Sequence, residues 1–146
     1  IIGSMSFDFG RVVYDDKERF GRWVATQVSQ EGSWGDYYAM GVEKEGRVTA
    51  GVVVNNYNMT NATVHIAIAE PNRMIIPLFK AVCDYAFNVC KLKRITGLVP
   101  TNEPDTIKFD KHLGFVEEFV MKDGAPNADM MVLVLWPKNC RWLQES

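Results

Sequence analysis

The chain of 146 residues lacks the features that mark membrane, secreted and metal-dependent proteins. No apolar run approaches the roughly 20 residues that a membrane-spanning helix needs, and the first residues lack the basic and apolar pattern of a secretion signal. The three cysteines are odd in number and do not have the spacing of metal ligands. These absences predict a cytoplasmic protein without a disulfide framework, a bound metal or a membrane partner.

An excess of positive charge is also missing. The 16 Lys and Arg residues stand against 18 Asp and Glu residues, for a net charge of -2, which disfavours a nucleic-acid partner held by bulk charge. A chain of this length usually forms one domain with its own core. We predict a single domain over residues 5–146, with residues 1–4 a remnant of cloning before the native Met5. The sequence leaves open whether two copies form a homodimer.

Helical and strand patterns alternate along the chain in the order β-α-β-β-β-α-β-α-β-β. Residues 15–30 carry apolar side chains at helical spacing, and Asp15 is expected to cap that helix. Glu45-Gly46 predicts a hairpin between two strands. The second helix is predicted over "PLFKAVCDYAFNVCK", at residues 77–91, and Pro77 places its start near Ile76. We expect a mixed sheet flanked by helices. Its strands at 62–69 and 94–99 should run parallel, because a helix connects them by a right-handed crossover.

The stretch "FDKHLGFVEE", at residues 109–118, passes from a polar helix directly into a strand. Gly114 is expected to end the helix sharply, with Leu113 and Phe115 anchoring the junction in the core. In this place in the element order, "NEPDTIKFDKHLGFVEE" resembles the late motif of the GNAT superfamily of acyl-CoA-dependent N-acetyltransferases. The order of elements resembles that family over residues 10–136, and the motif covers residues 102–118. The ending "CRWL" also resembles small GNAT proteins of tailed phages and prophages.

The resemblance implies a GNAT-like α/β fold, with a mixed, mostly antiparallel sheet whose central parallel strands splay apart. It further implies that acetyl-CoA is the cosubstrate, with its pantetheine arm in the gap between those strands and its pyrophosphate at the start of the second helix. The alternative is an ordinary closed sheet that binds no ligand. The cofactor-binding residues implied by the resemblance are Ile66, Ile68, Ala69, Arg73, Met74, Ile75, Ile76, Asn102 and Phe109.

The expected phosphate-binding loop departs from the family pattern. GNAT proteins usually carry Arg/Gln-x-x-Gly-x-Gly/Ala there, whereas "PNRMII" puts Met74 and Ile76 at the glycine positions. Glycine lets the backbone approach a phosphate closely, so the cradle is expected to be reshaped, weakened or lost. Arg73 either contacts phosphate directly or is a solvated surface charge. Asn72 is expected to cap the second helix, and Asn102 either caps the late helix or binds pantetheine.

Candidates for proton transfer follow from the same resemblance. Glu70, at the end of the splayed strand, is the candidate general base, and the alternative is a loop carboxylate without a catalytic role. His65 is interpreted as a partly exposed histidine on a sheet face. The position of the family's acidic Tyr is Asp110, and an ionised Asp beside a departing thiolate would oppose catalysis unless it were protonated or turned away. His112 and Tyr38 are therefore the candidate acids.

The function that this resemblance implies is direct attack of a primary amine on acetyl-CoA. The segments "SQEGSWGDYY" and "KDGAPNADM" occupy the places where the fold builds its acceptor pocket, but they do not identify the acceptor. The alternative is a catalytically impaired GNAT-fold protein that serves as a binding or assembly module. Met74, Ile76 and Asp110 are the residues that favour this alternative.

Overall fold

The computed structural model describes residues 9–29 and 32–143, so the predicted cloning remnant at 1–4 lies outside the described residues. Seven strands and three α-helices follow the predicted order. The strands are β1 (Arg11–Val13), β2 (Tyr37–Lys44), β3 (Arg47–Asn55), β4 (Thr63–Ile68), β5 (Ile95–Pro100), β6 (Val116–Ala125) and β7 (Ala128–Leu135). The helices are α1 (Lys17–Gln27), α2 (Ile75–Cys83) and α3 (Pro104–Leu113). No helix of the described ranges is long and apolar enough to cross a membrane.

All seven strands form one sheet in the order β1-β2-β3-β4-β5-β7-β6. Neighbouring strands are antiparallel except β4 and β5, which are parallel as the connecting helix predicts. Glu45 and Gly46 both adopt positive φ, of 52° and 79°, and close the β2–β3 hairpin at the predicted position. The mixed, mostly antiparallel sheet is therefore confirmed.

The two faces of the sheet carry separate cores. Helix α1 packs Phe20 and Val24 against one face, where they meet Trp34, Val53 and Ala67. Helices α2 and α3 cover the other face with the larger core. Its fully or almost fully buried side chains include Leu78, Val82, Leu113, Leu133 and Leu135. Side chains alternate between the faces along a strand, so successive residues of β4 contribute to different cores.

The junction after α3 has the predicted geometry. Gly114 adopts a φ of 116°, which ends the helix in a left-handed conformation that only glycine takes without strain. Leu113 and Phe115 on either side are 1% and 2% exposed. The indole Nε1–H of Trp142 donates to the Leu113 carbonyl at 2.9 Å, so the chain's last described segment satisfies a helix-terminal acceptor.

Two helical predictions were wrong in detail. Helix α1 begins at Lys17, its N-cap residue is Asp16, and Asp15 does not cap it. The second helix was predicted as one α-helix through residue 91. It instead changes after Cys83 to a π-helix over Asp84–Val89. Apolar periodicity specifies the buried face of a helix, but the hydrogen-bond pattern along it depends on packing that the period does not encode.

Candidate active site

A cleft opens where β4 and β5 separate. The two strands share one pair in register among the described residues, Thr63 with Thr96, and the Thr96 N–H donates to the Ala62 carbonyl at 2.9 Å. Beyond this pair the strands part around a cleft of about 600 Å³. The cleft is lined by residues 64–68 of β4, residues 97–100 of β5, the end of α1, and Glu103, Thr106 and Asp110 near and within α3.

The exposed edge of β4 offers backbone groups to this cleft. Because the Ala62 carbonyl points towards β5 and backbone direction alternates along a strand, the N–H and C=O groups of Val64, Ile66 and Ile68 also face the gap. Ala69 differs, because its N–H donates to the Thr49 carbonyl of β3 at 2.8 Å. The splayed edge can therefore pair with an amide-bearing ligand at Ile66 and Ile68, but not through the Ala69 N–H.

Asp110 lies at the closed end of the gap. The residue is 7% exposed, and its Oδ2 would lie 3.9 Å from a Cβ built on Gly97. Burial disfavours the charged form and raises the pKa of this carboxyl to about 7. Asp110 is thus neutral in a large fraction of molecules near pH 7. The argument from the sequence, that an ionised aspartate would oppose a departing thiolate, does not apply to this neutral form.

His65 lines the same cleft from the α1 face of the sheet. Its ring packs on Trp34 at 4.7 Å between centroids, and burial lowers its pKa. Its Nε2 lies 2.9 Å from Asn55 Oδ1, while Asn55 Nδ2 donates to the Trp34 carbonyl at 3.2 Å. Only the amide end of Asn55 can donate to that carbonyl, so the orientation of Asn55 is fixed. Nε2 then carries the proton, and Nδ1 has the free lone pair.

Comparisons with known proteins agree with this geometry at the level of fold. No family model matches the sequence, and a search of the curated proteins finds no match. The structure is similar to mutant forms of the spermidine/spermine N-acetyltransferase SpeG from Vibrio cholerae, with a TM-score of 0.72 at 14% identity over 88% of this chain and 95% of that one. The SpeG N152L mutant gives 0.72 at 14% identity, covering 92% and 96%. A structure described as a "Probable acetyltransferase" gives 0.66 at 16% identity, covering 87% and 92%.

The chain has the fold of the GNAT acetyltransferases. The GNAT-like fold predicted from the late motif and the order of elements is confirmed. The splay of β4 from β5 gives this GNAT fold a central opening through its sheet. The remaining residues that sequence reasoning selected can now be located relative to that opening.

Glu70, the predicted base of the GNAT site, is held outside the cleft. Its two carboxylate oxygens accept hydrogen bonds from Nε and Nη2 of Arg47, each at 2.9 Å. A bidentate guanidinium partner occupies acceptor positions of both oxygens. The side chain is also 41% exposed. Its role as base stays a prediction, and this geometry does not favour it.

The two predicted acids also lie away from the opening of the GNAT sheet. The Tyr38 hydroxyl donates to the Tyr14 carbonyl, and the Tyr38 ring stacks on Tyr85 at 4.5 Å in a separate pocket of about 470 Å³. Burial, assisted by Asp15, raises the pKa of Tyr38. His112 is exposed, and its backbone carbonyl accepts a hydrogen bond from Arg141. Neither side chain lines the cleft between β4 and β5.

The start of α2, where GNAT proteins bind pyrophosphate, has a closed hydrogen-bond pattern. The Met74 N–H donates to Asn72 Oδ1 at 2.7 Å, but the N-cap residue of α2 is Met74, so the prediction that Asn72 caps this helix was wrong. The N–H groups of Ile75 and Ile76 donate to the carbonyls of Asn72 and Arg73, and Pro77 has no N–H. The backbone N–H groups of Met74, Ile75 and Ile76 are therefore engaged within the turn and are not free to bind an anion.

The remaining predicted cofactor residues divide between two regions of the molecule. Ile66, Ile68, Ile75 and Phe109 line a narrow apolar crevice that continues from the cleft between β4, α2 and α3. Asn102 lies instead in a surface depression with the β6–β7 hairpin. It does not cap α3, because the N-cap residue is Glu103. Arg73 is exposed, with its guanidinium 4.7 Å from the centre of the Phe9 ring.

Sequence reasoning missed His65 and Asp110 as members of one site. The signal for Asp110 was present, because it occupies the position of the family's acidic Tyr in the late motif. What the sequence did not show was the burial of its carboxyl. For His65 no local signal existed, because its partners Trp34 and Asn55 come from distant segments.

Proposed function

We propose that this protein transfers an acetyl group from acetyl-CoA to a primary amine. The observation that carries the proposal is the cleft between β4 and β5, which opens after a single pair of residues, Thr63 with Thr96. Acetyl-CoA would supply an activated acyl group as a thioester. The backbone of Ile66 and Ile68 would hold its pantetheine amides.

The phosphate end of acetyl-CoA fits this chain less well than the pantetheine arm does. The backbone donors at the start of α2 are already engaged. An exposed guanidinium remains at Arg73, which can pair with a phosphate through side-chain donors. We therefore assign the phosphate contact to the Arg73 side chain rather than to a backbone cradle.

A second candidate function is a binding or assembly module that has lost transfer activity. The specific observation that favours it is the same closed turn at α2, because loss of the phosphate cradle is expected to weaken cosubstrate binding. Against it stands the cleft, whose lining includes two titratable side chains, His65 and Asp110, on opposite faces of the sheet. A protein that only binds has no need of such groups at an opening in its sheet.

Thermal unfolding with and without CoA and acetyl-CoA tests the proposal first. A ligand that binds only the folded state adds about 2.7 kcal/mol of stability at a hundred times its dissociation constant. Both compounds should raise the melting temperature, whereas adenosine alone should have a much smaller effect. No shift at millimolar CoA and acetyl-CoA would contradict the proposed function.

Release of free thiol from acetyl-CoA then separates the two candidates. Spermidine and spermine head the amine panel, because the structural neighbour SpeG is named for them, followed by aminoglycosides and peptides with a free N-terminus. Amine-dependent thiol release supports transfer, with mass spectrometry to identify the acetylated product. Binding of CoA without thiol release across the panel would support the binding module.

A further inference from the structure

The cleft between β4 and β5 is lined from both faces of the sheet, and its described lining includes His65, Asp110 and Glu103. His65 projects to the face that α1 covers, where its ring meets Trp34. Asp110 approaches from α3 on the other face, above Gly97 of β5. A group held between the separated strands therefore lies between an imidazole and a carboxyl.

We infer that His65 accepts the proton of the attacking amine at Nδ1 and that Asp110 donates its carboxyl proton to the departing sulfur. The inference rests on the proposed function. It replaces Glu70 as base and His112 or Tyr38 as acid with two residues that line the opening itself.

The hydrogen bonds of His65 suit it to accept a proton. Asn55 accepts from Nε2–H and is itself oriented by the Trp34 carbonyl, so the tautomer leaves Nδ1 as the acceptor. The lowered pKa keeps the ring neutral near pH 7. After Nδ1 takes a proton, Asn55 Oδ1 still accepts from Nε2–H, because both nitrogens of an imidazolium are donors.

The surroundings of Asp110 suit it to donate a proton. Among the residues that the structure describes, the other titratable side chains that line the cleft are His65 from β4 and Glu103 at the start of α3. The lining residues from α1, β5 and β7 are uncharged, as is Thr106 of α3. Burial is the cause of the raised pKa, so the proton is held by the lack of solvation for a carboxylate. A departing thiolate beside it would take this proton.

The step balances in atoms and charge. The amine nitrogen forms a bond to the carbonyl carbon of the thioester, and the carbon–sulfur bond breaks with its electron pair leaving on sulfur. The proton from nitrogen goes to His65 Nδ1, and the proton from Asp110 goes to sulfur. The products are an amide and free CoA thiol. Exchange with water then returns a proton from His65 to solvent and another from solvent to Asp110.

Kinetics of four variants test the pair against the residues that it replaces. Asp110→Asn and His65→Gln should each lower kcat by about a hundredfold or more, as removal of a general acid or base does, while the Kd for CoA stays within about threefold. The same amine is used throughout, so that its own titration cancels in the ratio of variant to wild type. Glu70→Gln and His112→Gln should keep wild-type kcat and pH profiles.

The pH profiles identify the role of each residue. Since the acid must be protonated, wild-type kcat divided by that of Asp110→Asn should decline as pH rises through about 7. The same ratio for His65→Gln should decline as pH falls, because the base must be neutral. Asp105→Asn, an exposed change on the same helix, is the matched control for the loss of a carboxylate. Wild-type profiles in Asp110→Asn or His65→Gln, or a large loss in Glu70→Gln, would overturn the inference.

Nitrogen NMR of labelled histidine gives a readout that does not depend on turnover. The free protein should show His65 as the Nε2–H tautomer, with Asn55→Ala shifting the tautomer ratio. An Nδ1–H tautomer in the wild type would remove His65 as the acceptor even if the enzyme is active. Wild-type protein that binds no CoA would contradict the proposed function instead, so the two failures are distinguishable.

Discussion

Asp110 shows how burial alone can change what a residue does. An exposed aspartate is ionised at neutral pH and cannot donate a proton, which is why the sequence argued against it. In the fold the residue is 7% exposed and its pKa rises to about 7. Glu70 differs because it lies outside the cleft, where Arg47 holds its two oxygens in a bidentate pair.

The raised pKa of Asp110 makes stability depend on pH. Well below the ordinary pKa of 3.8 the carboxyl is neutral in both the folded and unfolded states. As pH rises towards 7 the unfolded state loses its proton first, so the folded state loses stability, and above 7 the loss is complete. Each unit of pKa difference is worth about 1.4 kcal/mol.

Asp110→Asn should therefore become more stable relative to wild type as pH rises. Urea unfolding at pH 5 and at pH 8 should show the difference in unfolding free energy growing by about 2–3 kcal/mol in favour of the variant. Asp105→Asn provides the control on the exposed side of α3 and should show little change. A difference that is the same at both pH values would mean that Asp110 is already ionised at pH 5.

At the scale of elements, the turn between α3 and β6 is fixed by a single glycine. A Cβ on Gly114 would lie 2.8 Å from the Asn139 carbonyl oxygen and 3.1 Å from Leu135 Cδ1. The residue also has a φ of 116°, which side-chain-bearing residues rarely adopt. The turn positions Asp110 because the same α3 that ends there carries it over β5.

Gly114→Ala should destabilise the protein by about 1–3 kcal/mol, from strain in the backbone and from the displaced segment around Asn139. Gly46→Ala is the matched control, because Gly46 also has positive φ but nothing lies within 4 Å of its added Cβ. Urea unfolding should show a clearly larger loss for Gly114→Ala. Equal losses would indicate that backbone strain alone, and not the contact with Asn139, sets the cost.

At the scale of the whole molecule, the sheet consists of two halves that join weakly. Strands β1 to β4 form one half of the sheet, and strands β5, β7 and β6 form the other. Between the described residues of the two halves, Thr63 of β4 pairs in register with Thr96 of β5. The Thr96 hydroxyl donates to Asn61 Oδ1 at 2.6 Å and accepts from Arg94 Nη2 at 3.0 Å. This small group of polar contacts sets the point from which the cleft opens.

Thr96→Val should lower the unfolding free energy by about 1–3 kcal/mol, because it leaves partners of a buried hydroxyl unsatisfied. Thr26→Val replaces an exposed hydroxyl that bonds only within α1 and should change stability much less. Chemical denaturation of both variants measures the difference. Equal effects would show that the Thr96 hydroxyl does not secure the junction between the halves.

The sequence by itself determined the order of the elements, the hairpin at Glu45-Gly46, the sharp end of α3 and the parallel β4–β5 pair. These features depend on local chemistry: apolar periods, the freedom of glycine and the length of a connecting helix. The stretch at 102–118 that resembles the late GNAT motif is also local, since it lies in one continuous segment.

Only the tertiary structure decided which titratable groups share the cleft and which protonation state or tautomer each one has. Asp110 is buried because α3 packs over β5. The tautomer of His65 is set by its hydrogen bond to Asn55, which the Trp34 carbonyl orients. Glu70 is engaged by the guanidinium of Arg47. Each partner is distant in sequence. A pKa depends on solvation and on neighbouring charges in space, so no reading of adjacent residues could assign these roles.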